Sequence, residues 1–152
     1  MIFVIYLQKI NIVFYKETEY AIRGLVYIQL ANLKGNRPRL VEIASEIEAP
    51  SAYTAKILQN MVRLGFVESS KGRGGGFYFN PDKPNLILST LVSAIEGNKI
   101  YTGCGSGLKK CSDKNKCAMH DLYLPIRESI AKFVNKESIQ SLAKKQLKKL
   151  NT

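Results

Sequence analysis

Apolar residues in the first part of the chain recur at the period of an α-helix. In Thr18–Asn32, the side chains of Ala21, Leu25, Ile28 and Leu30 fall near one helix face. Thr18 is a residue type that caps helix N-termini, and the turn-forming sequence KGNRP follows at 34–38. The pattern predicts an amphipathic helix that starts near Thr18, ends before this turn and buries one face.

A second helix is predicted directly after the turn. Leu40, Ile43, Ala44 and Ile47 have the i, i+3, i+4, i+7 spacing that places apolar side chains on one face of a short helix. Pro50 then predicts a break, because the residue before a proline is pushed out of helical geometry.

The helix after this break is predicted over Ser51–Leu64. Ser51 suits the N-cap position, and Gly65 suits the C-terminal end. The buried face is predicted to consist of Ile57, Leu58, Met61 and Leu64. Two short helices around a tight turn form a helix-turn-helix, in which the second is the recognition helix that enters the DNA major groove.

The sequence after the recognition helix predicts a β-hairpin. Residues 66–70 (FVESS) and 77–79 (FYF) have strand character, and the loop KGRGGG at 71–76 joins them. A hairpin at this place is a wing: its glycines permit close approach to the sugar–phosphate backbone, and Lys71 and Arg73 carry charge at its tip. The loop lacks the GK[ST] ending of a phosphate-binding loop. A glycine-rich loop with incidental basic residues is the alternative interpretation.

The second half of the chain predicts further helices around a polar loop. A linker at 81–84 precedes a helix that Ser89 caps and that ends at Glu96, and Ser138 caps a last helix from Ile139 to about Lys149. A longer helix between them carries an apolar stripe of Leu122, Ile126, Ile130, Phe133 and Val134. Since the N-terminal helices already form a core, part of this stripe is available to pair with a second subunit.

Composition narrows the classes of partner. The 152-residue chain has a formal net charge of +11, which favours a polyanionic partner, usually nucleic acid. Its apolar start, residues 1–13 (MIFVIYLQKINIV), is shorter than the roughly 20 residues that cross a bilayer, and it lacks the features of a signal peptide. Free cysteines without an export signal predict a cytoplasmic protein.

All three cysteines and the single histidine lie in one polar stretch. Cys104, Cys111, Cys117 and His120 are spaced C-x6-C-x5-C-x2-H among Gly, Ser, Lys, Asp and Asn residues. Three is an odd number for a disulfide framework, whereas thiolates with one imidazole suit an iron–sulfur cluster or zinc. The sequence therefore predicts a metal centre on this loop, carried by a chain that also binds DNA.

The order of these segments resembles that of the Rrf-type winged-helix bacterial regulators, whose best-known branches are the IscR and NsrR proteins. The matching stretches are EYAIR at 19–23, EIA at 42–44, Tyr53, SKGRGGGF at 70–77, AIEG at 94–97 and the cysteine loop. The resemblance implies a homodimer whose long C-terminal helices cross. Because each subunit carries one recognition helix, we expect the dimer to bind an inverted repeat in double-stranded DNA, with half-sites about one helical turn apart.

The resemblance also implies a set of cluster ligands. Members of the IscR kind hold a 2Fe–2S cluster with three cysteines and one histidine, which correspond here to Cys104, Cys111, Cys117 and His120. NsrR-like relatives complete the cluster with a carboxylate from the partner's first helix, and Glu19 matches that position. His120 and Glu19 are therefore alternative fourth ligands.

The DNA contacts are expected from the recognition helix and the wing. The predicted contact residues are Ser51, Tyr53, Thr54 and Lys56 on the helix and Lys71 and Arg73 on the wing. Ala55 stands where IscR-like recognition helices carry a glutamate, so the operator sequence is not carried over from that branch.

We therefore predict a mainly α-helical protein with a small β-hairpin wing, built as a winged helix-turn-helix plus a long C-terminal dimerisation helix. Residues 1–13 are an added arm or a start-site artefact, 14–84 form the DNA-binding domain, and 85–152 carry the cysteine loop and dimerisation helices.

The predicted function is a non-enzymatic transcriptional regulator gated by an iron–sulfur cluster, through which it senses iron–sulfur status, redox state or nitric oxide. Neither a membrane nor a small-molecule substrate is expected as a partner. The cluster is expected to be 2Fe–2S, with 4Fe–4S or zinc as alternatives. A regulator that uses its cysteines as a zinc site or thiol redox switch is the nearest alternative. An iron–sulfur electron carrier is a further one, although it leaves the helix-turn-helix and wing unexplained.

Overall fold

The computed structural model describes residues 13–151 and is mainly helical with one β-hairpin. Its elements, in chain order, are α1 (Lys16–Leu33), α2 (Leu40–Glu46), α3 (Ser51–Arg63), β1 (Glu68–Ser70), β2 (Gly76–Tyr78), α4 (Leu88–Glu96), α5 (Lys99–Thr102), α6 (His120–Lys136) and α7 (Ile139–Leu150). The chain forms two compact units: the first runs up to Pro84 and includes the stretch from Leu142 onward, and the second spans Asn85–Ser141.

Helices α1, α2 and α3 and the hairpin form the core of the first unit. Leu25 and Ile28 of α1, Ile43 of α2, and Ile57 and Met61 of α3 are almost fully buried. The three faces meet because each helix repeats its apolar residues at the helical period, which leaves one stripe to be removed from water. The helix-turn-helix predicted from that period is confirmed.

Several predicted helix termini are shifted by one turn or less. Thr18 does not cap α1: it is buried inside the helix, which begins at Lys16 because the Tyr15 carbonyl already accepts a bond from the Glu19 amide at 3.0 Å. Ser51 is the first helical residue of α3 and not its cap, since the Pro50 carbonyl accepts from the Thr54 amide at 2.9 Å.

Two predicted core positions and one further cap also differ. Leu64 is 37% exposed because α3 ends at Arg63, and Leu30 is half-buried. Helix α4 begins at Leu88 with Ile87 in the cap position, whereas Ser89 was predicted to be the cap.

The hairpin is shorter than predicted. Strands β1 and β2 are antiparallel and pair Glu68 with Tyr78, Ser69 with Phe77 and Ser70 with Gly76. A hairpin of this size is marginally stable on its own. Its position therefore depends on contacts with the rest of the first unit.

The second unit packs α4 and α6 around an apolar core. Leu91 and Val92 of α4 and Val134 of α6 are fully buried. Backbone bonds join its two ends: the Leu88 amide donates to the Glu137 carbonyl, and the Ile139 amide donates to the Leu86 carbonyl, both at 2.9 Å.

The N-terminus of α7 confirms a predicted cap. The Ser138 hydroxyl accepts a bond from the Ser141 amide at 3.0 Å, as expected for a capping serine. Helix α5, between α4 and the cysteine loop, was not predicted because four residues are too few to show a period.

The apolar N-terminal segment falls almost entirely outside the described residues. Of the predicted extension 1–13, only Val13 belongs to the part of the chain that the structure describes. Within residues 13–151, no helix combines the length and apolar character that a membrane crossing requires.

Candidate metal centre and nucleic-acid interface

The three cysteine thiols converge in the loop between α5 and α6. The sulfur atoms of Cys104 and Cys117 are 3.4 Å apart, and all three sulfurs, including that of Cys111, lie within 4.8 Å of one another. The loop folds back through a tight turn in which Ser112 and Asn115 exchange backbone hydrogen bonds at 3.1 and 3.0 Å. The sequence spacing places the three cysteines in one loop, and the structure gives the distances between their sulfurs.

His120 lies beside the thiols, at the first residue of α6. Its backbone amide donates to the Cys117 carbonyl at 3.0 Å, and its Nδ1 lies 3.3 Å from the sulfur of Cys111. The imidazole is 8% exposed, and its Nε2 lies 3.1 Å from a carboxylate oxygen of Asp113. Of the four predicted ligands, the three sulfurs are the ones that all lie within 4.8 Å of one another, so His120 lies at the edge of the group.

Asp113 is a residue that the sequence did not single out. A carboxylate on the far nitrogen of an imidazole fixes which nitrogen faces a metal, and this arrangement is common around metal-binding histidines. The sequence signal was weak, because Asp113 is one polar residue among many in the loop.

The thiols have different affinities for protons. The pKa of Cys104 is lowered to about 6, chiefly because the Ser106 amide donates a hydrogen bond to its sulfur. The backbone hydrogen bond from Cys117 acts to lower the pKa of Cys111, but desolvation and the neighbouring thiols Cys117 and Cys104 outweigh it and raise that pKa. The loop thus already favours one thiolate, the form that binds metals.

A cavity of about 290 Å³ adjoins Cys104, Cys111 and His120. The guanidinium of Arg127, on α6, donates to the carbonyls of Gly103 at 3.2 Å and Thr102 at 3.4 Å, and so ties the start of the loop to the helix.

Gly105 lies against the ring of Tyr123: a Cβ at this glycine would lie 2.7 Å from the ring. Close packing of this kind holds the loop near α6. Three soft sulfur donors with an adjacent imidazole fit an iron–sulfur cluster or a zinc ion.

The predicted alternative ligand Glu19 belongs to the first unit. It lies in the first turn of α1, and its carboxylate is 3.3 Å from the ammonium of Lys16.

The recognition helix α3 presents its predicted contact residues unequally. Ser51 and Lys56 are exposed, and Tyr53 is half-buried with its ring in edge contact with Tyr20 at a centroid distance of 5.6 Å. Thr54 is only 1% exposed, and its hydroxyl donates to the Pro50 carbonyl at 3.0 Å. The placement of Thr54 on the DNA-facing side is corrected, since its side chain is part of the core.

Tyr53 is partly removed from water by this packing. Desolvation, and then the nearby carboxylate of Glu17, raise the pKa of Tyr53 above its ordinary value.

The wing presents its two basic tip residues to solvent. Lys71 and Arg73 are both exposed in the turn that joins β1 and β2. They are thus accessible to a phosphate backbone.

The family described as "Rrf2: Iron-dependent Transcriptional regulator" matches residues 14–145. The chain is 25% identical over 127 residues to the HTH-type transcriptional regulator IscR of Xenorhabdus nematophila, a match that covers 84% of this chain and 76% of that protein. The IscR of Yersinia pseudotuberculosis is 24% identical with the same coverage.

Solved structures show the same fold. CymR, titled the global cysteine regulator of B. subtilis, superposes with a TM-score of 0.67 at 16% identity, covering 86% of this chain and 95% of that one. T. potens IscR superposes with a TM-score of 0.65 at 13% identity, covering 92% and 90%. Both the sequence and the fold matches thus extend over nearly the whole chain.

Proposed function

The chain belongs to the Rrf2 family of iron-dependent transcriptional regulators, and from this premise we propose that its DNA binding is controlled by a metal cluster on the cysteine loop. One observation carries the proposal: three sulfur atoms from distant loop positions lie within 4.8 Å of one another. Convergence of three thiols brings negative charge together when they ionise, and a bound cation offsets that repulsion.

The proposed ligands are Cys104, Cys111, Cys117 and His120. A bound 2Fe–2S cluster would supply a redox-active, oxygen-sensitive group to the loop. The chain's own residues hold the site ready: Asp113 orients the imidazole, and Arg127 holds the start of the loop. The 3.3 Å separation of His120 Nδ1 from the Cys111 sulfur favours histidine as the fourth ligand.

Glu19 of a partner subunit remains the alternative fourth ligand. Its carboxylate already has a partner in Lys16 of its own helix, but that pair is partly exposed, and such pairs contribute little stability. A change of partner by Glu19 would therefore cost little.

A single zinc ion is a second candidate, because the distance between the Cys104 and Cys117 sulfurs fits it as well. A tetrahedral ion with Zn–S bonds of about 2.3 Å holds its thiolates about 3.8 Å apart. The 3.4 Å separation of the Cys104 and Cys117 sulfurs is close to that value. Metal analysis distinguishes this candidate from a cluster.

For DNA, we assign the major-groove contacts to Ser51, Tyr53 and Lys56 and the backbone contacts to Lys71 and Arg73. The helix residues lie in the N-terminal half of α3, the part of a recognition helix that meets base edges. The wing residues add charge without sequence information.

Dimerisation is proposed through α6. Of its predicted apolar stripe, Val134 is buried in its own unit, whereas Leu122 is 77% and Ile126 is 55% exposed. Two large apolar side chains one helix turn apart suit a contact between two copies of the chain. The net charge of +11 also fits a dimer that lies along a polyanion.

Control of DNA binding then follows from linkage. A ligand on the loop changes DNA affinity only as far as it binds the two conformations of the protein differently. The proposal therefore requires a loop that is ordered differently with and without its metal, in a cytoplasmic protein whose thiols remain reduced.

Anaerobic purification followed by visible absorption and by iron, sulfide and zinc analysis tests the proposal. We expect iron and sulfide in equal amounts, and loss of both in Cys104→Ser, Cys111→Ser and Cys117→Ser, because a hydroxyl is a harder and poorly ionised donor. Lys109→Ala, at an exposed position of the same loop, is the matched control and should retain the cluster. Stoichiometric zinc without iron would establish the second candidate instead.

A further inference from the structure

The turn between α1 and α2 contacts the wing at several points. The guanidinium of Arg39 donates to the Gly72 carbonyl at 2.6 Å, and that of Arg37 donates to the Ser70 hydroxyl at 3.1 Å. Arg37 also lies over the ring of Tyr78, 3.9 Å from its centroid. Two cations that a DNA-binding surface would use on phosphate are thus directed at the protein's own hairpin.

The backbone of the turn supports strand β2 from its outer edge. The Phe77 amide donates to the Pro38 carbonyl at 2.9 Å. The side chain of Asn32, near the end of α1, donates to the Phe77 carbonyl at 3.2 Å and accepts from the Phe79 amide at 2.9 Å. The strand that leads away from the wing tip is therefore fixed.

The tip itself is less supported. A cleft of about 570 Å³ separates the turn from the glycine loop, with Arg37, Arg39, Gly74 and Gly75 among the residues that line it. Among the bonds described for the tip loop, the one from Arg39 to Gly72 spans this gap from the turn. A charged donor and a carbonyl make a stronger bond than two neutral groups do.

We infer that Arg39, with Arg37, is a positioning residue for DNA binding: it holds the wing tip in place and does not itself contact DNA. This inference rests on the proposed contact of Lys71 and Arg73 with the DNA backbone. Gly72 lies between these two residues, so a bond to its carbonyl fixes both.

The competing explanation is that Arg39 contacts phosphate directly. The two explanations differ in how the Arg39 effect combines with changes at the tip. A positioning residue loses its effect once Lys71 and Arg73 are gone, whereas a direct contact adds its effect independently.

The hydrogen bond from Arg39 to the Gly72 carbonyl is called the anchor of the wing tip. Its effect is tested first without DNA, by hydrogen exchange of the wing amides in the free protein. Arg39→Ala should speed exchange of the Gly72–Gly76 amides, and Arg37→Ala should do so to a similar extent. Arg63→Ala is the matched control, because its guanidinium bonds within α3, to Asn60, and it should leave the wing unchanged. If the wing amides of Arg39→Ala exchange as slowly as those of the unaltered protein, Arg39 does not anchor the wing tip.

DNA affinity then tests positioning. Arg39→Ala alone should weaken binding about three- to fivefold, the value of one exposed hydrogen bond from a charged donor. In the Lys71→Ala/Arg73→Ala background, the same change should weaken binding by less than about twofold. Equal losses in both backgrounds, with a further fall of about one unit in the salt slope, would identify a direct phosphate contact and overturn the inference.

The background variant keeps the two claims apart. If Lys71→Ala/Arg73→Ala leaves DNA affinity unchanged, the proposed wing contact fails and the role of Arg39 in DNA binding falls with it. The exchange measurement still decides separately whether Arg39 anchors the tip.

Discussion

Replacing Gly76 with alanine should destabilise the wing far more than the same change at Gly74. Gly76 has a φ of 146°, and a Cβ there would overlap the carbonyl oxygen of Arg37 and lie 2.7 Å from that of Pro38. Gly74 has a φ of 73°, and a Cβ there would meet nothing within 4 Å. Comparing Gly76→Ala with Gly74→Ala separates the cost of the backbone conformation from the cost of the close approach to the turn.

The expected magnitudes follow from these contacts. At Gly74 only the left-handed conformation is penalised, at about 1–2 kcal/mol. At Gly76 the unfavourable conformation costs about 1–3 kcal/mol. Relief of the overlap requires β2 to move away from the turn, which also breaks the bond from the Phe77 amide to the Pro38 carbonyl, for about 1 kcal/mol more. The total at Gly76 is about 3 kcal/mol.

Urea unfolding followed by circular dichroism measures the global loss, and hydrogen exchange of the hairpin amides measures the local one. We expect Gly76→Ala to expose the hairpin amides and to weaken DNA binding, while Gly74→Ala loses only the about 1–2 kcal/mol of the left-handed conformation and keeps the hairpin amides protected. Equal, small losses in the two variants would refute the argument that the turn supports the wing by close approach.

Three further predictions concern DNA, assembly and the fourth ligand. Arg73→Ala should weaken binding to all DNA sequences and lower the salt slope by about one unit, and a change in sequence preference alone would show that Arg73 contacts bases. Leu122→Ser should shift the protein toward monomers in analytical ultracentrifugation, because it removes an apolar side chain that is 77% exposed in the single chain; an unchanged mass would exclude this face of α6. His120→Ala should leave a labile cluster with an altered spectrum, and an unchanged spectrum together with bleaching in Glu19→Ala would assign the fourth ligand to the partner's carboxylate.

The helical parts of the fold were predictable because their signal is local. The apolar period of α1, α2 and α3 specifies which faces meet, and the helix-turn-helix follows from the short α2 and the break at Pro50 that separates it from α3. The errors at Thr18 and Ser51 have a common reason: a cap is defined by which carbonyl accepts the first helical bond, and residue type only biases that choice.

The contacts around the wing and loop could not be predicted in the same way. The bond from Arg39 to Gly72 joins residues 33 positions apart, and nothing in the local sequence distinguishes Arg39 from a solvated surface arginine. The proximity of Asp113 to His120 depends equally on the turn at Ser112 and Asn115. The cysteine spacing predicted the metal centre, but its supporting residues emerge only from the folded loop.

DNA affinity measured with and without metal on the cysteine loop decides whether the metal controls DNA binding. A DNA fragment is selected from a random pool with the anaerobic protein, and its Kd is then measured by fluorescence anisotropy at one salt concentration, before and after chelation of the metal. The Kd for the selected fragment should change by about fivefold or more on chelation, while the Kd of the Cys104→Ser variant should not change. Identical affinities before and after chelation would show that metal on the loop has no influence on DNA binding.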